Sequence, residues 1–167
     1  ELQSEDGCEN FKIPVDKKGA QYFLTLNPRE PKYYPLTIQA SAKVLNAAGV
    51  DFTISSRYWD LTNYALFNGC DPDAKLFSQW QVDDVKRLGC EFLLAGECGH
   101  GYRALRWESP NWVGGVPFKI TSMMELMAKI VQEGRLKLDK SVWDGHRFTY
   151  HDSCNIARSG GVIEEPR

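Results

Sequence analysis

Residues 20–55 constrain the fold more than any other part of the chain, because a strand, a helix and a second strand follow one another there with almost no spare residues. AQYFLTL at 20–26 is aromatic and rich in side chains that suit a pleated surface, and Asn27-Pro28-Arg29-Glu30-Pro31 breaks the run. Leu36, Ala40, Val44 and Leu45 then fall near one helical face across residues 36–48, with Gly49 placed as the stop. VDFTIS at 50–55 follows directly as a second strand. This is the spacing of a right-handed βαβ unit, so a parallel sheet flanked by helices is expected. The expected fold class is α/β: a three-layer, parallel-sheet domain of flavodoxin-like or Rossmann-like character.

The remaining sequence extends the same alternation. Residues 59–67 read as a short helix ending at Asn68-Gly69. Residues 73–88 read as a longer amphipathic one with an acidic start and Gly89 as its stop. CEFLLAG at 90–96 is a third strand, followed by the turn Cys98-Gly99-His100-Gly101 and a helical turn over 102–107. A loop is expected through Ser109-Pro110-Asn111 and Gly114-Gly115, then a fourth strand at 116–120. Ser122 and Glu125 form a capping-box pair at the head of a helix that Gly134 closes. RFTY at 147–150 is the last expected strand. Residues 1–19, punctuated by Gly7, Pro14 and Gly19, read as an extended lead-in or linker, and 20–167 as a partial α/β domain truncated at the C-terminus.

A length of 167 residues is enough for one domain with its own core. The net charge of −2 gives no electrostatic reason for binding nucleic acid or an acidic membrane, and no apolar run approaches a bilayer span. Five cysteines, an odd number at uneven spacing, argue against a closed disulfide framework and for an intracellular chain with thiols or metal ligands.

In open parallel sheets the functional crevice lies beyond the carboxyl ends of the strands. Three loops compete for that position: 27–35, 96–102 and 151–158. The last two carry Cys98, His100, His151 and Cys154, which offer soft sulfur and imidazole donors. If 90–96 and 147–150 are both strands of one parallel sheet, the two turns end on one edge and converge. Gly96, Gly99 and Gly101 let the backbone approach a cluster or substrate and aim amide hydrogens at an anionic sulfur, while Arg103 and Arg106 favour thiolate at Cys98. Cys90 reads as core, Cys70 as a turn residue, and Cys8 lies in the polar lead-in. There is no CxxC pair, so neither a thioredoxin-like nor a ferredoxin-type site is present. Two further chemistries stay open. Cys98, His100, His151 and Cys154 would make a two-Cys, two-His zinc module, and Cys154 or Cys98 with His151 as base and Asp152 as orienter would make a cysteine hydrolase.

GECGHGYR at 96–103 and YHDSC at 150–154 together resemble the cysteine-rich CCG domain of heterodisulfide-reductase-type proteins. The resemblance covers nearly all of the chain from Ala20 on, including YFLTLNPREPKYYPLTIQA at 22–40 and DLTNYALFNGCDP at 60–72. In that family one cysteine closes a strand in a Gly-rich turn and a second follows a His-Asp-x-Cys turn. A paired Cys-Cys-Gly and a further cysteine complete a four-iron four-sulfur cluster, non-cubane in some members. The resemblance therefore implies Cys98 and Cys154 as cluster ligands, with His151 and Asp152 as motif neighbours. It also implies an electron-transfer oxidoreductase acting on a disulfide or persulfide of a small redox protein with reactive cysteines, in sulfate or sulfite metabolism. Its electrons would come through membrane electron-transfer subunits, its location would be cytoplasmic on a membrane complex, and nucleic acid would play no part. This chain has no Cys-Cys-Gly and carries Trp59-Asp60-Leu61 where a duplicated half-domain would hold one. The ligand set is incomplete as it stands, with Cys70, Cys8 and His100 as the in-chain residues that would extend it.

Overall fold

The computed structural model describes residues 11–60, 64–96 and 98–167. Strands β1 (Tyr22–Thr25), β2 (Phe52–Thr53), β3 (Phe92–Ala95) and β4 (Lys119–Ser122) form one all-parallel sheet in the order β2-β1-β3-β4. The helices are α1 (Arg29–Tyr33), α2 (Pro35–Ala47), α3 (Tyr64–Asn68), α4 (Asp71–Leu88), α5 (Gly99–Arg103), α6 (Ser109–Val113) and α7 (Met123–Gln132), with a π-helical turn at Ala104–Glu108 between α5 and α6.

The strand residues explain the three layers. Successive side chains of a strand point to opposite faces, and a parallel sheet covered on both sides needs apolar residues at consecutive positions. Tyr22–Thr25 is buried at every position. Phe23, Leu93, Ala95 and Ile120 enter one core cluster with Val85 and Leu88 of α4. Tyr22, Leu24, Phe52 and Leu94 enter the other with Ala42 and Leu45 of α2 and Leu126 and Ile130 of α7. Full burial of a leucine such as Leu93 or Leu94 contributes about 2 kcal/mol.

Local signals set the helix ends. Pro35 opens α2 at its first position, where a missing N–H costs nothing. Asp71 and Asp73 sit in the first turn of α4, and Gly89 ends it at φ 69°, a left-handed conformation that glycine adopts without strain. Both hydrogen bonds of the capping box form: Ser122 N donates to Glu125 Oε2 (2.6 Å), and Glu125 N donates to Ser122 Oγ (3.2 Å).

Three expected elements take another form. Residues 109–111 are helical rather than looped, because Pro110 falls in the first turn of α6, where no intrahelical donor is required. Asp60 is not helical; it makes an isolated parallel bridge with Leu26, and of the rest of the expected helix the described part is Tyr64–Asn68. Residues 147–150 form no strand. Phe148 and Tyr150 are exposed, and Phe148 packs instead on Trp143 and His146, with ring centroids 5.3 and 6.2 Å apart. A β-prone run makes a strand only when a partner edge and a surface to cover are within reach, and this run found a local aromatic cluster first. Within residues 11–19, Val15 bridges Ile54 and Lys17 N donates to Thr53 Oγ1 (2.9 Å), so this segment runs along the outer edge of β2.

Candidate functional site

The order β2-β1-β3 reverses direction at β1. From β1 the chain crosses to β2 on one side, then returns through α3 and α4 to β3 on the other. The crevice of such a sheet lies where that reversal separates the connecting loops, beyond the carboxyl ends of β1 and β3. The last register pair there is Thr25 with Ala95.

Gly96 follows directly, and a Cβ on it would stand 2.6 Å from the Thr25 carbonyl oxygen. The position is closed to any side chain, so Gly96 keeps the two strand ends together. Beside it lies a residue that sequence reasoning passed over. Glu30 is 3% exposed; its Oε2 accepts from Asn27 N (2.7 Å) and its Oε1 from Thr37 Oγ1 (3.0 Å). The signal was the three-residue step from Asn27 to Glu30, the spacing at which a carboxylate reaches back to a backbone N–H. Glu30 thereby ties the β1 loop and α1 to α2.

Cys98 caps α5. It is 7% exposed, and its Sγ accepts from Gly101 N at 3.4 Å. This is the amide-to-sulfur contact that the glycines of the turn lead one to expect. The neighbouring arginines turn elsewhere: Arg103 reaches Glu108 at 3.9 Å and the Arg106 guanidinium lies over the Trp107 ring at 5.5 Å. His100 is exposed and sets its ring edge-on against Phe67 of α3, centroids 4.8 Å apart.

Cys154 opens a second π-helical turn, Cys154–Arg158, in which Ser153 Oγ accepts from Ala157 N (3.3 Å). Its thiol is exposed and its Sγ accepts from Asn155 Nδ2 (3.2 Å). The turn packs against the start of α5. A Cβ on Gly99 would be 3.1 Å from Ile156 Cγ1 and 3.2 Å from Ile156 N, so glycine makes room for the segment that carries Cys154. The two cysteine turns do abut, although the strand expected to bring the second one there is absent.

The two histidines do not join them. His151 is exposed and makes no side-chain hydrogen bond among the described residues, while the Asp152 carboxylate accepts from Arg167 at 2.7 Å. A Cys-His-Asp relay requires a continuous chain of hydrogen bonds, and Asp152 is engaged away from His151. The two-Cys, two-His zinc arrangement is not assembled either. Among the described residues no three His, Cys, Asp or Glu side chains gather into a group able to hold a metal ion. Cys70 is half-buried ahead of α4, its amide donating to Asn68 Oδ1 (2.9 Å), which is the turn role expected of it. Cys90 is buried in the core, and burial, then the Asp51 and Asp84 charges, push its thiol up to about 11. Cys8 lies outside the described residues.

With this geometry in place, comparison with known proteins is informative. No protein-family model matches the chain. No solved structure matches it. Several curated proteins do. The chain is 28% identical to the Hdr-like menaquinol oxidoreductase iron-sulfur subunit 2 of Archaeoglobus fulgidus, over 87% of this chain and 29% of that protein. It is 26% identical to the EtfAB:quinone oxidoreductase of Syntrophomonas wolfei, over 92% of this chain and 23% of that protein. It is 28% identical to one of the polypeptides of the dihydromethanophenazine:CoB–CoM heterodisulfide reductase of Methanosarcina mazei, over 77% of this chain and 32% of that protein. The chain spans less than a third of the length of each of these relatives. Over most of its own length, then, it is similar to one segment of iron-sulfur and heterodisulfide-reductase-type oxidoreductases.

Proposed function

We propose that this chain is a segment of a heterodisulfide-reductase-like iron-sulfur oxidoreductase, in which Cys98 and Cys154 each give a thiolate to a four-iron four-sulfur cluster, cubane or non-cubane. The observation that carries the reading is the contact between the two cysteine turns across Gly99. Two soft sulfur donors on abutting segments fit part of such a ligand set, and the remaining ligands come from outside the described residues. When bound, the cluster supplies one-electron transfer.

The chain's own residues do the rest. The Gly101 amide donates to the Cys98 sulfur, a contact of the kind that tunes the potential of a thiolate-held centre. Gly96 and Glu30 hold the strand ends and the β1 loop in place. The exposed Cys154 and His151 face the side from which a partner's sulfur would approach.

The finer reading follows the resemblance of 22–40 and 60–72 to the catalytic K subunit of the Dsr membrane complex of sulfur-metabolising prokaryotes. In it the substrate is a disulfide or persulfide on a small redox protein, and the electrons pass to or from membrane subunits. Attachment in this reading runs through those partners at the cytoplasmic face. No helix among the described residues is long and apolar enough to cross a membrane.

Anaerobic reconstitution with iron and sulfide, followed by iron and acid-labile sulfide counting and electron paramagnetic resonance, tests the assignment. Iron uptake is expected to fall short of a full four-iron complement, to be lost in Cys98→Ser and Cys154→Ser, and to survive in Cys90→Ser. A colourless protein with stoichiometric zinc, or uptake indifferent to both ligand substitutions, would overturn it.

A further inference from the structure

The carboxyl edge of the sheet carries a second concavity, on the β1–β2 side and away from the cysteine pair. Arg57, Tyr58, Trp59, Asp60, Phe77 and Trp80 line a cavity of about 600 Å³, within the size range of small-molecule sites. Its place follows from the topology. Asp60 bridges Leu26 just past the end of β1, and its carbonyl accepts from the Gln81 side chain of α4, so the loop is pinned between sheet and helix.

The wall is aromatic. Tyr58 and Trp80 are stacked with centroids 5.3 Å apart at 15°, and Phe77 lies 5.4 Å from Trp80. Tyr58 and Trp80 keep 36% of their surface exposed, which leaves ring surface for another ring to cover. The polar centre is Asp60. Its Oδ1 is buried without a hydrogen-bond partner among the described residues, an arrangement that is costly when nothing donates to it. Burial also raises the pKa of this carboxyl. Arg57, exposed, is the positive charge of the lining, and Asp73 in the first turn of α4 adds a second carboxylate, so an anionic group has its place beside Arg57 alone.

We propose that this cavity binds a phosphorylated nitrogen heteroaromatic: a flat ring stacked on the Tyr58–Trp80 wall, with a ring or amino N–H donated to Asp60 and the phosphate toward Arg57. Apolar walls alone would accept any ring. The unpartnered carboxyl oxygen selects one with a nitrogen donor, because a ring lacking it leaves Asp60 unsatisfied. Ala65 and Asn68 of α3 complete the lining, and Phe67 of the same helix touches His100, so an occupant would sit one short helix from the Cys98 turn.

Isothermal titration of the full chain with FMN and with AMP, using phenyl phosphate as the ring without nitrogen, tests the site. Saturable binding of FMN or AMP is expected, about tenfold or more tighter than phenyl phosphate. Asp60→Leu and Trp80→Ala are each expected to weaken it by about tenfold while circular dichroism stays unchanged. Should Asp60→Leu not fold, Trp80→Ala on the cavity wall still decides the matter. Equal affinity for phenyl phosphate, no binding of either heteroaromatic, or binding unchanged in a folded Trp80→Ala would each refute the proposal. Because the readout is binding, repeating it in Cys98→Ser separates this site from the cysteine pair.

Discussion

Cys98 stands between a central strand and a helix, 7% exposed, as a member of one of the two core clusters. Cys154 begins an isolated helical turn after a stretch, residues 137–151, whose members are exposed throughout. The two thiols reach adjacent turns by different routes. One is held by the sheet, which fixes its position wherever β1 and β3 pair. The other is held by Asn155–Ala157, three buried residues laid on α5. Such a segment is expected to open before the sheet, since packing on α5 and the core holds it without any strand pairing. A site built from one rigid and one adaptable thiol can keep its geometry on one side and admit a partner on the other.

Four measurements put that contrast to the test. The largest effect is expected from the sheet: Leu93→Ala, at a position 1% exposed, should cost about 2–5 kcal/mol in urea unfolding. The matching change Val142→Ala, at 64% exposure in the stretch before Cys154, should cost less than about 0.5 kcal/mol. Equal losses would mean that the two thiols are held alike.

The second effect is on pH dependence. Cys90 keeps its proton in the folded chain up to about 11, against an ordinary value of 9.0. Between those values the unfolded chain sheds a proton that the folded chain retains, so stability falls as pH rises, by about 3 kcal/mol across the window. Tyr102, pushed up to about 12 from 10.0 by burial and then by Glu125, adds to the fall only above pH 10. Urea unfolding at pH 8 and pH 10, which spans the lower half of that window, should show about half of the loss in the native sequence and much less of it in Cys90→Ala.

Gly99→Ala tests the seam between the two turns. The added methyl meets Ile156 Cγ1 at 3.1 Å and Ile156 N at 3.2 Å, and the turn must move to admit it. A stability loss of about 1 kcal/mol is expected. Alkylation, followed residue by residue by mass spectrometry, should speed up at Cys98 and stay the same at Cys154. Unchanged protection of Cys98 would show that the Cys154 turn does not cover it.

The smallest effect belongs to Asp152→Asn. Its partner Arg167 is 40% exposed at the side chain and Asp152 itself 32%, so the pair is worth less than about 0.5 kcal/mol and fades with salt. A thermal shift too large for that figure would make the pair a structural clasp for the Cys154 turn.

The elements legible in the sequence are those whose cause is local. Gly49 and Gly89 stop their helices, and Ser122 with Glu125 starts one, because each acts on a backbone group within four residues. The parallel sheet was legible too, since the strand-helix-strand spacing of 20–55 leaves little choice of connection. Cys98 at the end of β3 followed from the same pattern. What failed was distant. The β-prone residues 147–150 found no edge, Pro110 entered a helix, and neither Glu30 nor Asp60 stood out, because their burial comes from neighbours far along the chain.

Sequence alone determined the alternation of elements, the caps and the turn that carries Cys98, all governed by short-range hydrogen bonding and by which residues tolerate a left-handed backbone. Tertiary structure decided the rest. It placed Cys154 against Gly99 without a strand, set the His100 and His151 rings apart, and enclosed Asp60 among aromatic rings. Those outcomes depend on which surfaces remain to be covered once the sheet has formed, a quantity that no stretch of residues carries by itself.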